Sequence, residues 1–336
     1  MRYTPSQSLM FDQGKIDRLS LSYRILTLML ALSYGGILAS LPLDAFLDRA
    51  NYLIYATDSW LILCGYWSQS PLVALANEPI WLLINSFLAN FLSAEDIVRI
   101  IIFVPATVVA WIVLLQSPKH FNFIWMLLFL LYPAVVKNHI IHLRQGVAIA
   151  VFLMGWFSGS TPLRWFLMGS ASFIHSSIFF MLALLGLTKI ALKLHLGPDL
   201  RTLLMAAMGI IIGLGFGWLG AIVGARQAYY YEFTMAPNAS GLGFIFWAFM
   251  FVVMCLQGRT YMRRYAFEMA AVIFYLATYF FVEVAARIFE SALLLVLLAG
   301  LQLTGWRRTA FISLIIISAL IQYIRQFDQP WLGYGL

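Results

Sequence analysis

The sequence predicts an all-α protein that crosses a membrane many times. Hydrophobic residues make up 62% of the 336 residues and charged residues only 10%, whereas a soluble domain carries about 25% charged residues. Apolar stretches long enough to cross a hydrocarbon core of about 30 Å recur along the whole chain. We therefore predict an all-α polytopic integral membrane protein, a single membrane-embedded domain over residues 1–336 with about 10–11 transmembrane helices.

The clearest predicted spans are bounded by charged or turn residues. They cover roughly residues 22–41, 98–115, 121–136, 141–157, 202–224, 241–257, 266–284, 288–304 and 309–324.

Two loops are predicted at the outer face of the membrane. Residues 42–97 form the longer loop, and its apolar segment at 78–92 is too short to span comfortably. We predict an amphipathic or re-entrant helix there. Residues 225–240 are aromatic and polar, as expected of a flexible cover over a site.

The stretch from Pro162 to Leu194 decides the predicted orientation of everything after it. As one span, it would place later arginines such as Arg259 and Arg307 outside. As two helices with a break at Ser172–His175, it keeps them in the cytoplasm, which agrees with the positive-inside rule. We therefore predict a broken helix near His175, a cytoplasmic N-terminus and a site that faces outward.

The net charge of +7 is attributed to these topology anchors, so no nucleic-acid partner is expected. Cys64 and Cys255 lie alone in apolar surroundings without CxxC spacing, which supports neither a zinc site nor a disulfide framework. The sequence carries no phosphate-binding loop, dinucleotide fingerprint or HExxH motif. We expect no cofactor and no metal.

Polar residues crowd into the stretch from Asn138 to Gln145. His139 and His142 are three residues apart, as are His142 and Gln145, so each pair shares a face if the helix extends that far back. Arg144 lies among them, and its planar guanidinium matches phosphate oxygens. The group predicts either an anion site or a set of interfacial anchors at the end of a span.

His175 and Arg287 are two further unexplained polar residues. His175 lies among serines at the predicted break and is either a proton carrier or a structural group. Arg287 follows Glu283 by four residues, the favourable spacing for an ion pair. The two charges either neutralise each other, or Arg287 contributes a second arginine to a clamp for pyrophosphate.

The outer loops supply candidates for sugar contact. Asp48 and Asn51 could bind a sugar, Tyr52 could stack on its ring, and the Glu78 carboxylate could act as a general base toward a hydroxyl. In the 225–240 loop, the stretch "RQAYYYE" contains Arg226 and Tyr230. Solvated loops and an interfacial aromatic belt remain the alternatives.

The order of these short motifs resembles the EpsG-like, Wzy-type polymerases of bacterial surface polysaccharides. The motifs are D-x-x-N-Y at Asp48, Asn51 and Tyr52, then Glu78–Pro79, then "RQGVA" from Arg144, then "FIHSS" around His175, and a late arginine at Arg287.

The resemblance implies a metal-independent glycosyltransferase at the outer face of the bacterial inner membrane. It would transfer a growing O-antigen or exopolysaccharide chain from undecaprenyl pyrophosphate to the terminal hydroxyl of a lipid-linked repeat unit. Membrane lipids and a chain-length-regulating membrane protein are the other implied partners. Candidate catalytic residues are His139, His142, His175 and Glu78, candidate pyrophosphate ligands are Arg144, Gln145, Arg287 and Arg226, and candidate sugar contacts are Asp48, Asn51, Tyr52 and Tyr230.

Two other functions stay open from the sequence. A transporter or flippase of a lipid-linked saccharide would use the same arginines, but it needs a path open to each side in turn, and the polar groups cluster outside. A membrane O-acyltransferase would need a histidine that faces a cytoplasmic acyl donor, and the inner loops contain only His120 and His195.

Overall fold

A computed structural model describes residues 20–116, 120–222, 241–281 and 285–335. Within these ranges the chain forms sixteen α-helices, one short 3-10 helix and no β-strand, so the predicted all-α class is confirmed. The helices are α1 Leu21–Ser40, α2 Arg49–Gln69, α3 Pro71–Ala76, α4 Pro79–Leu88, α5 Ala94–Leu115, α6 His120–Leu130, α7 Pro133–Ile140, α8 Leu143–Trp156, α9 Thr161–Ser172, α10 Ser177–Lys193, α11 Pro198–Ile222, α12 Leu242–Cys255, α13 Arg259–Arg264, α14 Ala266–Thr278, α15 Ala285–Gly300 and α16 Trp306–Arg325.

Each predicted span contains a helix, and several helices are long and apolar enough to cross a membrane. In the described part of the chain these are α1, α5, α11 and α16, with α6 and α7 as a fifth span if they are taken together across a bend of 50°. Four further apolar helices, α4, α8, α12 and α14, are shorter. The polytopic character is therefore confirmed, while the predicted count of about 10–11 spans stays a prediction.

The chain divides into two compact units. The first unit comprises residues 20–178 and 316–335, and the second comprises residues 179–315 within the described ranges. In the first unit α1 packs along α5, α2 packs against α4, and α8 contacts both α5 and α9. In the second unit α14 packs against α11 and α15. The single-domain organisation stays a prediction.

The predicted break near His175 is present. Helix α9 ends at Ser172 and α10 begins at Ser177. In the intervening turn the His175 N–H donates to the Ala171 carbonyl at 3.1 Å, and the Ile178 N–H donates to the His175 carbonyl at 3.1 Å. The short polar side chains in this turn compete for backbone hydrogen bonds, which favours interruption of the helix.

Residues 42–97 are largely helical and not an extended loop. The predicted short helix is present as α4, which buries Trp81, Leu82 and Asn85. Prolines at the first positions of α3 and α4 separate them from the preceding chain, because proline fits only the first turn of a helix. The 21-residue α2 was not predicted from the sequence, since polar residues interrupt its apolar pattern.

The C-terminal segment packs against the chain that leads into α2. The Leu47 N–H donates to the Tyr334 carbonyl at 3.4 Å, and the Tyr334 hydroxyl donates to the Pro133 carbonyl at 3.0 Å. The rings of Phe46 and Trp331 lie 5.4 Å apart between centroids. These contacts fix the start of α2, which carries residues of the candidate site.

Helices α1 and α5 approach closely at Gly35. A Cβ atom added there would lie 2.8 Å from the Phe103 carbonyl oxygen and would collide with the Thr107 hydroxyl. At the neighbouring Gly36, no heavy atom lies within 4 Å of an added Cβ. A small residue is therefore required on one face of α1 only, as in other closely packed membrane helices.

We expect Gly35→Ala to lower the free energy of unfolding by about 2 kcal/mol, because the added methyl group must push α1 away from α5. The measurement is the thermal unfolding midpoint of the purified protein in detergent. Gly36→Ala is the matched control and should leave that midpoint unchanged or slightly higher. Equal midpoints for the two variants would contradict the α1–α5 contact.

Candidate functional site

The centre of the candidate site is the carboxylate of Glu78 in the first unit. This residue is only 4% exposed. Its Oε1 lies 2.6 Å from Nδ1 of His175 and accepts from the Ser176 N–H at 3.4 Å. Its Oε2 accepts a hydrogen bond from Nη1 of Arg144. Because a buried carboxylate requires partners of this kind, three segments distant in sequence converge on one charge.

The backbone at Glu78 is held in an unusual conformation. Its φ of 60° and ψ of 53° are left-handed values, which a residue with a side chain seldom adopts. The next residue, Pro79, excludes the ordinary helical conformation at Glu78. One residue further, the Ile80 N–H donates to the Phe173 carbonyl at 3.1 Å. The start of α4 is thereby tied to the turn that carries His175, and strain of this kind is commonly found at functional sites.

Aromatic residues of α2 and α4 hold Arg144 in place. The Arg144 guanidinium lies over the Tyr55 ring, 5.4 Å from its centroid. The Tyr52 hydroxyl accepts from the Leu143 N–H at 3.0 Å, which satisfies one backbone donor at the start of α8. Trp81 contacts the edges of both tyrosines. The Arg144 side chain is still 22% exposed.

A glycine allows α8 to begin against α7. A Cβ added at Gly146 would collide with the Asn138 carbonyl oxygen and would lie 3.3 Å from Nδ1 of His139. The absence of a side chain lets the two backbones pass at this distance. The glycine of the "RQG" motif thus serves to position Arg144 two residues earlier in the chain.

The geometry defines the protonation of His175. A carboxylate can only accept hydrogen bonds, so Nδ1 of His175 carries the proton that points to Glu78. In the neutral imidazole Nε2 then has a lone pair and can accept a proton. The side chain of His175 is 14% exposed. The Glu78–His175 pair is therefore arranged like the carboxylate–histidine pairs that perform general base catalysis.

The other predicted catalytic histidines lie apart from this centre. His139 is 2% exposed and its ring meets Tyr34 edge to face, 6.2 Å between centroids. His142 immediately precedes α8 and is partly buried. The condition under which His139 and His142, or His142 and Gln145, would share a helical face is not met, because α7 ends at Ile140 and α8 begins at Leu143. Gln145 itself is 1% exposed.

The predicted sugar contacts occupy different environments. Asp48 and Asn51 are exposed at the start of α2, with Asn51 Nδ2 donating to Asp48 Oδ1 at 3.5 Å. Tyr52 is 5% exposed, and its ring packs against Trp81. The burial of Tyr52 points to a packing role, whereas Asp48 and Asn51 are accessible to a substrate.

The remaining predicted residues lie elsewhere in the chain. Arg287 is in the second unit, exposed in the first turn of α15. Arg226, Tyr230 and Glu283 lie outside the described residues. The described residues contain no group of three or more His, Cys, Asp or Glu side chains that could hold a metal ion; metal independence stays a prediction.

Three contributors to the site were not predicted from the sequence. Tyr55 follows Tyr52 by three residues and Trp81 follows Glu78 by three, so helical spacing could have placed each pair on one face. The third, Ser176, contributes its backbone N–H. Since any residue except proline carries that donor, no side-chain pattern identifies it.

The ion pair of Glu78 and Arg144 predicts a strong energetic coupling between them. We expect Glu78→Gln and Arg144→Gln each to lower the free energy of unfolding by about 2 kcal/mol, because each leaves the partner charge uncompensated. In the double variant the combined loss should be about 1 kcal/mol or more below the sum of the single losses. Unfolding midpoints of all four proteins in detergent give this coupling, and simple additivity would contradict the pair.

Most of the chain matches a known protein family. The family model described as the EpsG family matches residues 49–334. This range includes Glu78, Arg144 and His175, which together are called the Glu78 centre. No curated protein and no solved structure matches the chain. By its sequence and its helical membrane fold, the chain belongs to the EpsG family, whose members are membrane proteins of the polysaccharide-polymerase type.

Proposed function

We propose that this protein is a glycosyltransferase that polymerises a bacterial surface polysaccharide. It transfers the growing glycan from undecaprenyl pyrophosphate to the terminal hydroxyl of a lipid-linked repeat unit. The observation that carries this proposal is the buried Glu78 carboxylate between His175 and Arg144. In a chain of the EpsG family, a general base and a cation joined through one carboxylate suit the two demands of that reaction.

The first demand is removal of the acceptor proton. In the proposed step, the acceptor hydroxyl oxygen attacks the anomeric carbon of the donor, and Nε2 of His175 takes the hydroxyl proton. Glu78 orients the ring through Nδ1 and stabilises the imidazolium that forms, as the aspartate does in hydrolase triads. His175 is thus the proposed catalytic base, chosen from four sequence candidates because it is the partly accessible histidine paired with a carboxylate.

The second demand is stabilisation of the leaving group. As the new glycosidic bond forms, the bond between the anomeric carbon and the pyrophosphate oxygen breaks, and its electron pair leaves with the pyrophosphate. Fixed cationic donors that meet this charge lower the barrier. Arg144 uses Nη1 for Glu78, and the guanidinium carries further N–H donors for a phosphate oxygen in this proposal. A role for Arg287 as a second pyrophosphate ligand stays a prediction from the sequence.

The location of the reaction is also proposed. Most lysines and arginines fall in the loops assigned to the cytoplasm, and the break after Ser172 supports that assignment. The Glu78 centre then faces the outside of the bacterial inner membrane. A chain-length-regulating membrane protein is the proposed macromolecular partner.

We expect His175→Ala to lower the polymerisation rate by about a hundredfold or more, since the proton acceptor is removed. The assay uses purified protein in detergent with a chemically defined lipid-linked repeat unit, followed by a gel ladder. His195→Asn, in an exposed left-handed position, is the control and should give the wild-type ladder. If wild-type protein leaves the substrate one unit long but moves it between leaflets of liposomes, the protein is a flippase and polymerisation is wrong.

We expect Arg144→Lys to keep the protein folded but lose most turnover. Lysine retains the charge that Glu78 needs, yet it lacks the planar fork that binds two oxygens at once. The same gel assay reports turnover, and the unfolding midpoint reports folding. Full activity in Arg144→Lys would show that Arg144 only neutralises Glu78 and does not bind the leaving group.

A further inference from the structure

A separate cleft in the second unit contains a buried arginine. About 300 Å³ of space, including the open mouth, lies between the first turn of α11, the end of α10 and the helices α13 and α14. Arg201, Thr202 and Thr188 supply its polar lining, and Met205, Met262 and Met269 supply much of its apolar lining. The cleft is open on one side, so most of this volume belongs to its mouth.

Arg201 lacks a counter-charge among the described residues. It is only 7% exposed, and its buried Nη1 has no hydrogen-bond partner. Its Nη2 donates to the Met262 carbonyl at 3.4 Å, which is a weak hydrogen bond. The nearby Asp199 lies instead beside Arg259 at 3.4 Å, where both side chains are exposed. Glu268 is buried in α14 and forms no ion pair with Arg201 within 4 Å.

An uncompensated buried guanidinium is energetically unfavourable. Removing such a cation from water is costly unless an anion and hydrogen-bond acceptors replace the water. Arg263 adds electrostatic repulsion to Arg201 and so increases the requirement for an anion. The helix dipole of α11 also stabilises negative charge at this end of the helix.

We propose that this cleft binds a phosphate group through Arg201. A planar guanidinium matches two oxygens of a phosphate, and a tetrahedral anion can accept from the threonine hydroxyls beside it. Two sources carry this group: free phosphate, and the headgroup of an anionic phospholipid. Arg201 lies within one turn of the start of the candidate span Pro198–Gly215, which is the depth at which headgroups are found. The site is independent of the Glu78 centre and of the proposed polymerisation.

The test measures thermal unfolding of the delipidated full-length protein in detergent. One arm titrates inorganic phosphate, and the other titrates dihexanoyl phosphatidic acid, each against chloride at equal ionic strength. Dihexanoyl phosphatidylcholine controls for general lipid effects. We expect a saturable rise in the unfolding midpoint, because a ligand that binds only the folded protein stabilises it. A rise in both arms indicates that the phosphate group is sufficient, and a rise with phosphatidic acid alone identifies the lipid.

Matched variants assign the effect to Arg201. Arg201→Gln should raise the ligand concentration at half-saturation by about tenfold or more, because a charge-assisted contact is lost. Its unfolding midpoint without added anion should be no lower than that of the wild type, since the uncompensated charge is gone. Arg259→Gln removes an exposed charge of the same sign and should respond as the wild type does. No shift in either arm, or an unchanged response in Arg201→Gln, would overturn the proposal.

Discussion

The burial of one carboxylate determines much of the first unit. Taking an ionised Glu78 out of water costs several kcal/mol unless its oxygens meet cations and N–H donors. The protein meets this requirement with Arg144 on one oxygen and with His175 and the Ser176 N–H on the other. Each partner needs its own support, which comes from the aromatic residues of α2, from the glycine at 146 and from the break between α9 and α10.

The fold class and part of the site were predictable from sequence. Apolar composition and span length predicted the helices, and the positive-inside rule required the break at His175 because only that break kept the later arginines on one side. Glu78, Arg144 and His175 were each identified as unusual polar residues in an apolar chain. Their mutual contact was not predictable, because helical spacing relates residues three or four apart, whereas these pairs are 66 and 97 residues apart.

Arg144 and Arg201 both lie near the starts of helices, and they differ in whether the protein supplies a counter-charge. Arg144 has its counter-charge within the protein, so its folded position needs no ligand. Arg201 has none among the described residues, and it lines an open cleft. From sequence alone Arg201 was one topology anchor among several, since burial and pairing cannot be read from position along a chain. The exposed lysines and arginines nearby are still interpreted as topology anchors.

The long sequence separation within the Glu78 centre affects how the protein is made. The ribosome delivers Glu78 before Arg144 and well before His175. For that interval the carboxylate has neither partner, and its burial would be unfavourable. The paired and buried state of Glu78 is therefore available only after the turn that follows Ser172 has been synthesised. Completion of the contacts around Glu78 is thus a late event in the synthesis of the first unit.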